Sequence, residues 1–152
     1  MTSLRRHRLA LYSAAMAVTI ALTGSLAIGN AAAAAPKLVV KPATGLIKGK
    51  TVKVTGSGFT PHDQVFLVEC LAVATGQGQC DINTATPASI TAKGILPPTY
   101  FMVVTGKIGN KSCGTTKSNL KGCVINVGNA TGGDTATTPI AFKMPKKAPK
   151  KK

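Results

Sequence analysis

Lys50-Thr51-Val52-Lys53-Val54-Thr55 is the stretch that decides the fold. Its apolar residues recur at every second position, with lysine and threonine between them. That period belongs to a β-strand with one face in a core and the other in water. Gly56-Ser57-Gly58-Phe59-Thr60-Pro61 then breaks the run with turn-forming residues. Outward from this strand the same pattern repeats. Residues 38–41 form a short strand closed by Pro42-Ala43-Thr44-Gly45. Residues 64–71 are apolar on both faces, which suits a central strand or one that lines a cleft. Residues 88–92, 96–105, 123–128 and 139–142 complete seven runs. Pro97-Pro98 confines the start of the fifth run to an edge or a bulge. No run has the period of an amphipathic helix. The reading is an all-β protein, a seven-stranded immunoglobulin-like β-sandwich, without the tryptophan of antibody domains because the chain has none.

Four cysteines fall into two pairs of equal spacing, Cys70/Cys80 and Cys113/Cys123. They stand downstream of a segment that reads as an export signal, so structural disulfides are expected rather than metal ligands or redox catalysts. Four cysteines permit three connectivities, and spacing alone does not choose among them. The glycines and small polar residues within each ten-residue interval favour the local pairs. Zinc would need closer C-x-x-C spacing or histidine partners, and neither is present, so no metal is expected.

The export signal covers residues 1–34. Arg5-Arg6-His7-Arg8 is its basic start, residues 9–28 its apolar middle, and residues 30–35 supply the small side chains that a signal peptidase requires. A retained membrane anchor is the rival reading, weakened by that alanine-rich end. One domain is expected over residues 35–142, followed by a lysine-rich tail over residues 143–152. The chain carries a net charge of +15, and its three arginines, Arg5, Arg6 and Arg8, all lie in the signal. Sixteen lysines then face four acids, Asp63, Glu69, Asp81 and Asp134. Lys143, Lys146, Lys147, Lys150, Lys151 and Lys152 make the tail a candidate polyanion-binding segment, for DNA or an anionic cell-wall polymer. Base-specific reading is disfavoured without arginine. The expected setting is secretion, with retention at the envelope through the lysines.

Catalysis finds few parts. His62-Asp63 sits in a turn after Pro61, Ser57 and Ser89 lack a nucleophile-elbow context, and no carboxylates pair at a telling spacing. No catalytic residue is assigned, and the chain is read as a binding protein rather than an enzyme. Glu69, inside an apolar run, is expected to face solvent or to meet a lysine, because an unpaired buried carboxylate is costly.

A family emerges from the order of motifs: Val40-Lys-Pro-Ala-Thr-Gly-Leu46, then Gly49-Lys-Thr-Val-Lys-Val-Thr-Gly-Ser-Gly-Phe59. Glu69-Cys70 and a nine-residue insert to Cys80-Asp81 follow, then Ala92-Lys-Gly94, Cys113-Gly114, Gly122-Cys-Val-Ile-Asn-Val-Gly-Asn129 and Pro139-Ile-Ala-Phe142. From about residue 37 to 142 this resembles the neocarzinostatin family, the secreted apoproteins of enediyne chromoprotein antibiotics. The resemblance implies a seven-stranded sandwich with two local disulfides. It also implies a monomeric carrier that needs no cofactor and protects a non-covalently bound, DNA-damaging enediyne chromophore, an apolar small molecule, in a cleft. Antibacterial, DNA-directed activity would then belong to the chromophore. Transferred by the cysteines, the cleft takes Phe66, Val68, Cys70 and Ala72 on one wall and Val124, Asn126 and Gly128 opposite, with the Cys70–Cys80 bridge on the floor. The family prototype has a tryptophan and a phenylalanine where this chain has Ala72 and Ala85. Its glycine and polar wall positions correspond to Val68, Val124 and Gly128. Phe66, Tyr100, Phe101 and Met102 remain as sources of apolar surface. The alternative is a chromophore-free, envelope-associated binding protein whose lysine tail attaches to anionic polymers.

Overall fold

The alternation of Val52 and Val54 with polar neighbours becomes the inner face of a sheet: both side chains are fully buried, while Thr51 and Lys53 are exposed. The computed structural model describes residues 35–144, which contain nine strands. Strands β1 (Lys37–Lys41), β2 (Thr51–Ser57) and β5 (Ile95–Met102) form one antiparallel sheet in the order β1-β2-β5. The second sheet takes β3 (Gln64–Leu71), β4 (Thr86–Ser89), β8 (Cys123–Gly128) and β9 (Ala136–Ile140) in the order β4-β3-β8-β9. A two-stranded ribbon, β6 (Gly106–Ile108) with β7 (Lys111–Cys113), is attached to them. Three strands against four make the expected seven-stranded sandwich, and the ribbon is additional.

Between the two sheets lies the core. Val52 and Val54 from β2 and Leu96 and Phe101 from β5 meet Val65 and Leu67 from β3 and Ile125 and Val127 from β8. Each such side chain contributes about 1.5–3 kcal/mol on leaving water. The prolines respect the edges: Pro97-Pro98 in β5, Pro87 in β4 and Pro139 in β9 all lie on strands with a single partner. Opposite Pro97-Pro98 the β2–β5 register slips between Val54 and Gly56, a bulge that accommodates them.

Several boundaries differ from the sequence reading, and β2 itself starts at Thr51 and runs on through Gly56 and Ser57, which were read as part of the turn that ends it. β4 starts at Thr86 and ends at Ser89, so residues 90–92 lie outside the strand. β5 stops at Met102 instead of running on to residue 105, because residues 103–105 lead into the ribbon. The ribbon falls outside the seven runs read from the sequence. Its strands are three residues long, too short to show a period, and Gly106 and Gly109 adopt positive φ. β9 begins earlier than expected, at Ala136.

Both disulfides are local, Cys70–Cys80 and Cys113–Cys123. Each closed ten-residue loop stabilises by about 2–3 kcal/mol in the chain-entropy description. They serve opposite sides of the second sheet. Cys113–Cys123 is wholly buried and ties the ribbon to the start of β8. Cys70–Cys80 ties the end of β3 to the following loop.

Gly94 sets the turn into β5. Its φ is +68°, it accepts the Phe59 N–H at 3.1 Å, and a Cβ there would stand 2.5 Å from the Phe59 carbonyl oxygen. Gly94→Ala should therefore cost about 2–4 kcal/mol, from left-handed strain and a backbone clash together. The expected result is a marked drop in Tm by differential scanning calorimetry. An unchanged Tm would remove this turn from the determinants of the fold.

Candidate functional site

Where β3 pairs with β8, residues of opposite parity face opposite ways. Val65, Leu67, Glu69 and Leu71 point into the core, with Cys123, Ile125 and Val127 opposite. Phe66, Val68 and Cys70 face outward, and their direct cross-strand partners are Gly128, Asn126 and Val124. This outward face of the four-stranded sheet is the floor of a cleft of about 760 Å³. The chain from Ala72 to Ala85 raises one wall through two short 3₁₀ turns, Gln77–Gln79 and Ile82–Thr84. The β8–β9 connection, with Asn129, Ala130 and Gly132, raises the other.

Two carboxylates hold that second wall in place. Asp63 Oδ2 accepts a hydrogen bond from Asn129 Nδ2 at 2.7 Å, and its Oδ1 accepts the Gln64 N–H at 2.8 Å. The bond from Asn129, then that from Gln64, keeps the Asp63 carboxyl below its ordinary pKa. Asp134 accepts the Thr60 N–H at 2.7 Å and the Thr60 hydroxyl at 3.0 Å. The β2–β3 turn and the β8–β9 connection are thereby joined. The first wall is braced by Gln79, whose Oε1 accepts the Thr75 N–H at 2.6 Å.

All eight residues carried over to the cleft line it: Phe66, Val68, Cys70, Ala72, Ala85, Val124, Asn126 and Gly128. Tyr100, Phe101 and Met102 do not. They belong to β5 in the other sheet, where Phe101 is core and Tyr100 and Met102 are exposed, so Phe66 is the only aromatic residue in the lining. The sequence reading missed Thr75, Gln77, Ile82 and Thr137. The first three lie on an irregular loop without periodicity, and Thr137 enters only through its register opposite Asn126. Thr137 Oγ1 donates to Asn126 Oδ1 at 3.0 Å, which fixes the amide and leaves its NH₂ group as a donor.

Among the described residues, none that lines the cleft is ionisable. The cleft thus offers apolar surface, amides, hydroxyls and backbone groups, with no general base and no thiolate. His62 lies elsewhere, exposed in the turn before β3. Glu69, Cys113 and Cys123 gather their side chains within 4.8 Å, but both sulfurs are tied in the disulfide and one carboxyl is a poor donor set for a metal. Of the tail lysines, Lys143 is exposed, and Lys146, Lys147, Lys150, Lys151 and Lys152 lie outside the described residues, as does the signal segment.

Directly beneath the cleft, Glu69 departs from expectation. It is fully buried, and among the described residues its carboxyl oxygens are met by Val104 and Cys113 rather than by a lysine. Its Oε2 accepts the Val104 N–H at 2.8 Å. Its Oε1 lies 3.3 Å from Cys113 Sγ. A bridged sulfur has no proton to give, so the oxygen facing it is best satisfied as the O–H of a neutral acid. Burial is the main cause that pushes the Glu69 pKa up to about 7, with a smaller push from Asp81 and an opposing pull from the Val104 hydrogen bond. The same residue's backbone carbonyl accepts the Asp81 N–H at 2.8 Å, beside the Cys70–Cys80 bridge.

An all-β sandwich with an uncharged, largely apolar cleft on one outer sheet face is the architecture of a small binding module. The chain belongs to the Neocarzinostatin family, whose sequence profile matches residues 38–142. It is 32% identical over 113 residues to macromomycin of Streptomyces macromomyceticus, covering 71% of this chain and 77% of that protein. Identity is 32% to apokedarcidin of an actinomycete, covering 61% of this chain and 86% of that protein. It is 31% to the antitumor antibiotic C-1027 apoprotein of Streptomyces globisporus, covering 68% and 78%. The solved structure of macromomycin superimposes with a TM-score of 0.57 at 30% identity, covering 72% of this chain and all of that one.

Glu69 makes stability depend on pH. The folded state holds a proton that the unfolded chain releases near the ordinary value of 4.5, so stability declines as pH rises from about 4.5 to about 7 and stays lower above. Glu69→Gln keeps an acceptor for Val104 and abolishes the titration. The variant should match the parent near pH 4 and exceed it by about 3 kcal/mol at pH 8. Parallel Tm–pH curves for the two proteins would show that the carboxyl does not titrate in this way.

Proposed function

We propose that this chain is an exported, monomeric carrier that holds an uncharged, largely apolar small molecule in the cleft on its four-stranded sheet. The observation that carries the reading is the lining itself: about 760 Å³ without one ionisable side chain. That volume suits a drug-sized ligand, which such sites hold by apolar contact plus a few placed hydrogen bonds. Phe66 supplies the aromatic surface, and the Asn126 amide, fixed by Thr137, supplies a polar contact. Family membership, with relatives that include an antitumor antibiotic apoprotein, supports an enediyne-type chromophore as the ligand.

On this reading the protein takes no part in bond making. It shields a reactive molecule from water and thiols, and any antibacterial, DNA-directed chemistry resides in the molecule released. Residues 1–34 direct export. The sixteen lysines favour encounter with polyanions, DNA included, through counterion release that salt suppresses. The tail lysines would also serve a chromophore-free, envelope-associated protein, the competing reading.

Protein purified from the native producer is expected to carry a coloured or fluorescent molecule extractable by organic solvent. Phe66→Ala should weaken its rebinding about tenfold, the scale of one lost aromatic contact. Protein that is colourless from a producing culture, with a cleft that takes up no extract component, would favour the chromophore-free reading.

A further inference from the structure

We infer that the outer face of the β1-β2-β5 sheet docks on an anionic phospholipid surface. Lys41 stands directly opposite Lys53, and Lys53 directly opposite Tyr100. Like charges facing each other across strands are unfavourable unless something compensates them. Nothing acidic in the sheet does so, because β1, β2 and β5 contain neither Asp nor Glu. All four acids lie elsewhere: Asp63 and Asp134 pin the cleft wall, Glu69 is core, and Asp81 follows Cys80.

The same face bears exposed apolar side chains among its lysines. Tyr100 is 67% exposed, Met102 55%, Val39 45% and Ile95 42%. They interleave with Lys37, Lys41 and Lys53 on the side of the sheet away from the core. A second copy of the chain is a poor occupant, since it would set these lysines against their own equivalents. A single-stranded nucleic acid would use the lysines and the one aromatic ring, leaving Val39, Ile95 and Met102 without a role. A bilayer surface uses all of them. Lysines reach the phosphates while apolar stems and the amphipathic tyrosine settle at the acyl boundary. Docked this way, the molecule keeps its cleft, on the opposite outer face, open.

Tyr100 reports on this directly. It is the sole tyrosine of residues 35–152, which also lack tryptophan. That span contains the family domain, and the solved macromomycin chain is matched over its whole length, so the domain stands alone. Residues 35–152 should be mixed at low salt with vesicles of equal parts phosphatidylcholine and phosphatidylglycerol carrying brominated acyl chains. The expected result is quenching of tyrosine emission that vesicles of phosphatidylcholine alone do not produce. Lys41→Gln with Lys53→Gln should lower partition about 25-fold, roughly fivefold per lysine. Val39→Ser with Met102→Ser should also weaken it, both pairs with unchanged Tm. The inference is overturned if the bound protein's tyrosine is not quenched, which would assign attachment to the tail lysines. It is equally overturned if the lysine pair leaves partition unchanged, or if an oligonucleotide binds this face while phosphatidylglycerol vesicles do not.

Discussion

The register of β3 against β8 is the constraint on which the rest of the molecule depends. Side chains on paired strands alternate strictly, so one register assigns Leu67, Ile125 and Val127 to the core and Phe66, Val68 and Asn126 to the cleft. A slip of one residue would exchange the two sets, exposing the core and burying an amide. The central strand can be apolar on both faces because one holds the sandwich together and the other lines the cleft. Each disulfide guards one face of this pair, with Cys113–Cys123 in the core and Cys70–Cys80 in the cleft.

Placing the site on such a pair has a consequence at Glu69. The residue falls on the core side of β3, where hydrophobic packing would suit an aliphatic side chain. It is instead held by the Val104 N–H and the edge of a disulfide, joining the cleft floor to the segment that enters the ribbon. Neutralisation is the cheaper way to keep a carboxyl there, because a charged one would lack a partner. The protein therefore accepts a pH-sensitive contact beneath a site whose own lining does not titrate.

Charge is divided as sharply as polarity. The acids cluster around the four-stranded sheet and its connections, where Asp63, Asp134 and Glu69 work as hydrogen-bond acceptors for loop backbone or side chains. The three-stranded sheet keeps only lysines. A molecule built this way presents an uncharged groove on one outer face and a cationic, partly apolar surface on the other.

What the sequence determined alone is whatever depends on neighbours along the chain. Strand-like runs bounded by turn residues placed the seven sandwich strands, Pro97-Pro98 marked an edge and a bulge, and the glycine-bearing intervals favoured local disulfides. The family resemblance, through motif order around the cysteines, named eight of the residues that line the cleft. Only tertiary structure decided the rest. Tyr100 and Met102, read as apolar surface for a ligand, lie on the far sheet, since strand order and not sequence spacing decides which face a strand joins. Glu69 is buried because parity on β3 points it inward, whatever its charge. The ribbon and the walls formed by residues 72–85 and the β8–β9 connection are irregular. The β8–β9 connection takes its position from long-range contacts, Asp63 with Asn129 and Asp134 with Thr60, 66 and 74 residues apart, and no local pattern encodes those.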